Sequence, residues 1–331
     1  MLKIGVIGYG GRTGDLIKDV LLELKLDVEI VAFTDLDEAA ARARMSHPRL
    51  HPETIRYYKT AREMLDSEEL DGCMIGTRCN THTPYAVEVL RRNIPLFLEK
   101  PVSVTMEQLR ALDAAGKATA AQTVVSFPLR ASLPVRKAKA IIDSGEIGEI
   151  QHVQAYNNVP YGGCYYHSWY RDESITGGLF LQKATHDLDY IQYILGHRPV
   201  ELCAMESKQI YKGDKPARLR CPDCPEERTC PESEWFMTTY KADHPHGDLC
   251  CFSTATGNHD SASVLVRYDT GMHVCYSQNF FARKNAQPDA QIFTGGGGSL
   301  ATRARWNLIG TPGSCLCIST TSRWMRAISW I

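Results

Sequence analysis

The sequence predicts an α/β protein with an N-terminal doubly wound parallel sheet, followed by an α+β part built on a large, mostly antiparallel sheet. Three observations predict it. The chain opens on an apolar run that breaks into clustered glycines, Met1-Leu-Lys-Ile-Gly-Val-Ile-Gly-Tyr-Gly-Gly-Arg-Thr-Gly-Asp15. Short aliphatic runs at Val28–Thr34, Leu70–Gly76 and Ile94–Leu98 then recur between helical stretches, as parallel strands buried on both faces do. Further on, Asn258–Tyr268 and Met272–Phe281 flank a Tyr-Asp-Thr-Gly turn and read as paired antiparallel strands.

In the opening stretch, Leu2, Ile4, Val6 and Ile7 supply the strand. Gly8, Gly10 and Gly11 let the backbone turn sharply and approach a pyrophosphate with no Cβ in the way. Asp15 to Leu24 reads as a helix with Leu16, Ile17, Val20, Leu21 and Leu24 on one stripe, so its positive dipole end faces the turn. The pattern is Gly-x-Gly-x-x-Thr-Gly, and Tyr9, Arg12 and Thr13 belong to the same candidate cofactor turn. A tight turn with no ligand is the competing reading. The second strand ends at Asp35, about twenty residues beyond the glycines, where an acidic side chain accepts hydrogen bonds from the adenosine ribose hydroxyls. Asp35 and Asp37 would repel a 2′-phosphate with only Arg12 nearby, which argues for NAD over NADP. An N-cap role for Asp35, ahead of a helix over 38–44, fits the same spacing.

The 331 residues carry 44% hydrophobic content and a formal net charge of −1. That suffices for two cores and gives no electrostatic reason to expect nucleic acid. No apolar run reaches the ~18 residues a membrane helix needs, and the opening strand lacks signal-peptide architecture, so a cytoplasmic location is expected. Twelve cysteines are then expected as thiols or metal ligands rather than disulfides.

Thr60 to Asp66 begins with a capping box, Thr60 and Glu63. The Leu70–Gly76 strand runs into Thr77-Arg-Cys-Asn-Thr-His-Thr-Pro84, a loop at the carboxyl end of the sheet where ligands bind, making Thr77, Asn80 and His82 cofactor candidates. Pro84 is expected to start a helix over 85–92. Ile94–Leu98 delivers Glu99-Lys100-Pro101 to the same edge; a surface ion pair is the plainer explanation for those two charges.

Taken together, the glycine turn, Asp35, Asn80 with His82, and Glu99-Lys100-Pro101 resemble the Gfo/Idh/MocA family of NAD(P)-dependent oxidoreductases, whose members act on sugars, inositols and related polyols. The resemblance runs from Lys3 to about Leu300. It implies a Rossmann domain over 1–125, a substrate and dimerisation domain over 126–300, and Lys100 beside nicotinamide and substrate.

In the second domain, Ser132 to Gly145 reads as a helix with proline in its first turn and glycine past its end, and 147–157 as a strand. The stretch from Tyr161 to Arg171 is crowded with rings. Tyr166, His167, Trp169 and Arg171 are candidate substrate contacts, and a packed loop is the alternative. A helix following Gly177-Gly178 places Gln182, Lys183, His186, Asp187, Asp189 and Tyr190 at spacings of three and four, with Leu188, Ile191, Ile194 and Leu195 as the core stripe. His186 is either structural or, flanked by Lys183, Asp187 and Asp189, a titrating group of controlled charge. By the resemblance it is the proton-transfer residue. Many family members carry Asp-x-x-x-His here, whereas this chain has Gln182-x-x-x-His186 with Lys183 beside it, so Gln182 and Lys183 become the expected substrate contacts.

After a strand at 200–209, an insertion at about 213–251 carries Cys221-Pro-Asp-Cys224 and Cys230. Those three, with Cys250 or Cys251, have the spacing of a structural zinc knuckle; free thiols are the alternative. Beyond Gly295 the pattern fails: residues 301–331 show no strand or helix period and are expected to be an atypical tail, foreign to the fold.

The functional expectation is hydride transfer between NAD(P) and a CH–OH carbon by Lys100 and His186, in a homo-oligomer, dimer or tetramer. A redox-neutral glycosidase or lyase that keeps its nicotinamide bound would use the same residues. A non-catalytic NAD sensor would need neither Lys100 nor His186.

Overall fold

The structure is a computed structural model that describes residues 1–159, 162–241, 247–282, 304–309 and 314–320. It divides into two compact units, Met1–Ser126 with Ser174–Gly177, and Phe127–Glu173 with Gly178–Ile331.

The first unit is built on six parallel strands, β1 (Leu2–Ile7), β2 (Val28–Thr34), β3 (Arg56–Tyr57), β4 (Gly72–Ile75), β5 (Leu96–Leu98) and β6 (Thr123–Val125), in the order β3-β2-β1-β4-β5-β6. The order reverses beside β1, so the turn after β1 sits at the switch point where such sheets bind ligands. Consecutive residues serve opposite faces. Val6, Phe33 and Met74 join one buried cluster, and Ile7, Ala32 and Ile75 the other. This two-sided burial is why the strands lack polar alternation in sequence.

Two helices depart from expectation. The first starts at the glycines themselves, as α-helix over Gly11–Leu16 and then π-helix over Ile17–Leu22. The wider turn puts Ile17 and Leu22, five apart, on the buried side and leaves Val20 and Leu24 exposed. The His82–Leu90 helix begins two residues before Pro84, whose missing N–H falls in the first turn where no intrahelical partner is needed. The capping box on Ala61–Ser67 is complete, with Thr60 accepting from the Glu63 amide and Glu63 from the Thr60 amide.

The second unit carries a mixed, mostly antiparallel sheet of β7 (His152–Asn158), β8 (Pro199–Ser207), β9 (Ser261–Tyr268), β10 (His273–Asn279), β11 (Ala304–Ile309) and β12 (Ser314–Thr320), in the order β11-β12-β7-β10-β9-β8. Among the described strands of this sheet only the β7–β10 pair is parallel. The inner face, with Val153, Ala155, Val264, Val266, Val274 and Tyr276, is covered by the Leu133–Asp143 and Thr185–Leu195 helices through Val135, Ala138, Ile191 and Ile194. Strands β11 and β12 lie within the tail expected to have no period. They are placed by main-chain pairing of β12 on β7, which requires no hydrophobic alternation. The remainder of the tail falls outside the described residues, as does Tyr161.

Candidate active site

The glycine turn is held by its neighbours on the sheet. Gly8 has φ +84°, and a Cβ there would stand 3.0 Å from the Gly76 backbone at the end of β4. Thr13, 2% exposed, lies directly over Gly76. Gly76 is a positioning residue that the sequence reading passed over; its signal was a glycine at the carboxyl end of a buried strand. The Asp35 carboxylate accepts from the Tyr9 amide at 2.8 Å and the Asp37 amide at 3.1 Å, tying the glycine turn to the end of β2. Asp37, not Asp35, caps the Glu38–Arg44 helix, accepting from the Ala40 amide.

This turn fits a dinucleotide. The helix that starts at Gly11 has no side-chain cap and no acidic residue in its first turn, so its leading amides and dipole are open to phosphate oxygens. A Cβ at Gly11 would meet nothing within 4 Å. Gly8, Gly10, Gly11 and Asp35 would hold the pyrophosphate and ribose. Tyr9 corrects the reading in one respect: its ring is fully buried against Phe33, and burial pushes its hydroxyl up to about 12, so it serves the turn through its amide alone.

At the neighbouring strand ends, Glu99 is 7% exposed and faces the Arg12 guanidinium at 3.6 Å, while Lys100 is half-buried. Glu99 is thus a buried carboxylate rather than a surface one, and it links the glycine turn to the Glu-Lys-Pro turn. Thr77 and Asn80 lie half-buried in the intervening loop, where the Asn80 carbonyl accepts from Gln108 and the Thr77 hydroxyl from Thr81. His82 is not placed as a cofactor contact. It is 2% exposed, with Nδ1 at 2.8 Å from the Pro101 carbonyl and Nε2 at 3.1 Å from the Thr77 carbonyl, so it clasps the two loops together. Burial lowers its pKa, opposed by those two contacts.

In the second unit, a π-helical turn over Phe180–Ala184 carries Gln182 and Lys183 and runs into the Thr185–Leu195 helix with His186 in its first turn. Gln182 is buried; Lys183 and His186 are half-buried, and Phe127 meets the His186 ring edge-on at 6.2 Å. The flanking aspartates have partners of their own. Asp187 accepts from Asn157 of β7 at 2.7 Å and Tyr276 of β10 at 2.6 Å, and burial raises its pKa despite both donors. Asp189 receives a bidentate Arg130. Both therefore anchor the His186 helix to its surroundings.

The aromatic loop is mostly a packed one, the alternative reading of this stretch. Tyr166 is fully buried, stacked on Tyr211 and donating to the His259 carbonyl. Arg171, 6% exposed, donates to the Cys250 and Ala217 carbonyls and the Ser253 hydroxyl, stitching the insertion down; burial depresses its pKa. His167 holds the Leu249 carbonyl with Nδ1, which also lies 4.0 Å from Cys221 Sγ. Only Trp169, stacked on Tyr170, stays half-buried.

Cys221, Cys224, Cys230, Cys250 and Cys251 line, with His167, one cavity of about 20 Å³. Among the described residues no group of three or more His, Cys, Asp or Glu side chains is arranged to hold a metal, so the expected tetrathiolate is not preformed. Burial pushes the Cys221 thiol up to about 11 and also raises those of Cys230 and Cys250. Protonated thiols have no charge to draw toward a common centre.

The chain is similar to known proteins. Residues 2–127 match the family model of an oxidoreductase family with an NAD-binding Rossmann fold, and 135–314 match a GFO/IDH/MocA C-terminal domain. YteT of Bacillus subtilis is 29% identical over 248 residues, which cover 66% of this chain and 58% of that protein. The inositol 2-dehydrogenase of Ralstonia nicotianae is 28% identical over 196 residues, covering 59% and 55%. The chain thus spans a little over half the length of these curated relatives. Among solved structures, myo-inositol 2-dehydrogenase from Lactobacillus plantarum superposes with TM-score 0.61 at 20% identity, over 84% of this chain and 70% of that one, a likeness of fold.

Proposed function

Because the chain belongs to the Gfo/Idh/MocA oxidoreductase family, we propose that it is an NAD-dependent dehydrogenase acting on a CH–OH carbon of an inositol, sugar or related polyol. One observation carries the reading: each unit brings the residues of its expected half-site together. The first ties an uncapped helix start to Asp35 through the Tyr9 amide and to Glu99, the neighbour of Lys100, through Arg12; the second holds Gln182, Lys183 and His186 on one helical segment. Inositol dehydrogenases among the relatives support the substrate class.

When bound, the nicotinamide supplies the hydride acceptor. The chain's own residues do the rest. His186 takes the hydroxyl proton as the carbon is oxidised to a carbonyl, and the Lys100 ammonium stabilises the developing alkoxide. Gln182 and Lys183 orient neighbouring hydroxyls. NAD is favoured over NADP because Asp35 is free of the helix-capping role and stands where a 2′-phosphate would meet its charge. The test is purified protein with NAD and a panel of inositols and sugars, followed by NADH absorbance. Product forming with no net NADH would favour the redox-neutral lyase reading instead.

Three finer readings accompany this one. A structural zinc held by Cys221, Cys224, Cys230 and Cys250 is supported by their spacing in the sequence and by their lining one cavity; binding would displace the thiol protons and draw the sulfurs in. Zinc content well below one per chain, in protein purified without chelator, would count against it. A homo-oligomer is supported by edge strand β8, where Val200, Leu202 and Met205 are exposed. A cytoplasmic location goes with the reading of the cysteines as thiols or metal ligands. No described helix is long and apolar enough to cross a membrane.

A further inference from the structure

Strand β10 and the residue after it turn Val274, Tyr276, Gln278 and Phe280 to one buried face, each no more than 2% exposed. Three of the four are accounted for. Val274 is in the core cluster, Tyr276 donates to Asp187, and Phe280 packs edge-on against Tyr165 and Tyr166. Gln278 is not: both its amide oxygen and its amide nitrogen are buried and meet no hydrogen-bond partner among the described residues. Stripping an amide of water without replacing its hydrogen bonds is unfavourable, and a leucine would fill the space without that penalty.

The surroundings say what the amide is for. Gln278 lies opposite Asn157 in the β7–β10 register, and Asn157 donates to Asp187, the residue after His186. Its neighbours on the same face meet the segment that carries the proposed substrate contacts: Tyr276 packs on Phe180, and Phe280 shares a cluster with Leu179. Gln278 stands between them in the row, between the two residues that meet the start of the π-turn of Gln182 and Lys183.

We infer that Gln278 is a substrate-positioning residue whose amide binds a hydroxyl of the polyol beside the carbon being oxidised. A carboxamide both donates and accepts, and so does a hydroxyl; an anion could use only half of it. The site is thereby matched to a neutral, vicinally hydroxylated ring or chain rather than to a carboxylate or phosphate ester. This rests on the dehydrogenase reading proposed above.

The experiment compares wild type and Gln278→Leu in turnover with NAD, using the best inositol or sugar found for wild type and its deoxy analogues. In the variant, KM for the full polyol should rise about tenfold or more, as when a buried polar pair loses one member. KM for the analogue lacking the bound hydroxyl should stay within about twofold. NAD affinity should hold, and the melting temperature should stay level or rise because an unmatched buried amide has been removed. If leucine does not pack, Gln278→Met, unbranched and of similar length, is measured in its place. An unchanged KM, or a fall in melting temperature with KM unchanged, would overturn the inference and make Gln278 a structural residue. A wild type that turns over no polyol would instead overturn the dehydrogenase reading, and this inference with it.

Discussion

Thr13 and Gly76 touch so closely that a Cβ built on Gly76 would stand 1.7 Å from the Thr13 hydroxyl. Real Cβ atoms do not approach that far, so the helix of the glycine turn can pack on the end of β4 only if residue 76 is glycine. Gly76→Ala is expected to destabilise by about 1–3 kcal/mol and to weaken NAD binding, because relief requires the turn to move. Thermal melts and NAD titration check this; wild-type affinity in a destabilised variant would separate the packing from the turn.

Replacing Asp35 tests both of its contacts. Asp35→Ser, or Asp35→Ala with an added arginine, should shift the NAD to NADP preference toward NADP by removing the carboxylate's repulsion. Losing an acceptor for the Tyr9 and Asp37 amides should also cost about 1 kcal/mol of stability. An unchanged cofactor ratio would make Asp35 only a brace for the turn.

Lys100→Ala and His186→Ala are expected to fold and bind NAD, yet to lose roughly two or more orders of magnitude in kcat on an identified polyol. Near-normal turnover in both would show that the chemistry lies elsewhere.

His82 predicts a pH dependence. Its folded pKa is lowered from 6.5, chiefly by burial, so the unfolded chain binds the proton more tightly. Its contribution to stability is present above about pH 6.5 and is lost as pH falls through the folded pKa. His152, lowered by burial and by the facing His273, acts in the same direction. Melting temperatures measured from pH 7.5 to 5 should therefore fall less steeply in His82→Gln than in wild type; parallel curves would remove His82 as the cause.

The first unit was legible almost strand by strand, since strands buried on both faces are written as unbroken aliphatic runs and a capping box such as Thr60 with Glu63 is a local pattern. Strand β2 falls where its apolar run does, at Val28–Thr34. β3 and β6, only two and three residues long, left no such run. The aromatic loop was legible only as two alternatives, because hydroxyls and imidazoles read alike whether they meet a ligand or the protein's own carbonyls; Tyr166, His167 and Arg171 do meet such carbonyls.

Chemistry that depends on residue type and spacing was determined by the sequence alone: the glycine turn, the acidic end of β2, the Glu99-Lys100-Pro101 turn and the helix bearing His186. Tertiary structure decided which atoms within those motifs are used. Asp35 or Asp37 as the cap, His82 as a clasp and Asp187 as an anchor to β7 and β10 depend on contacts between residues far apart in the chain. Gln278, polar in a buried row, acquires meaning only once its neighbours are known to be satisfied. The physical reason is that a polar group's role is set by the partner that replaces its water, and the chain brings that partner close only by folding.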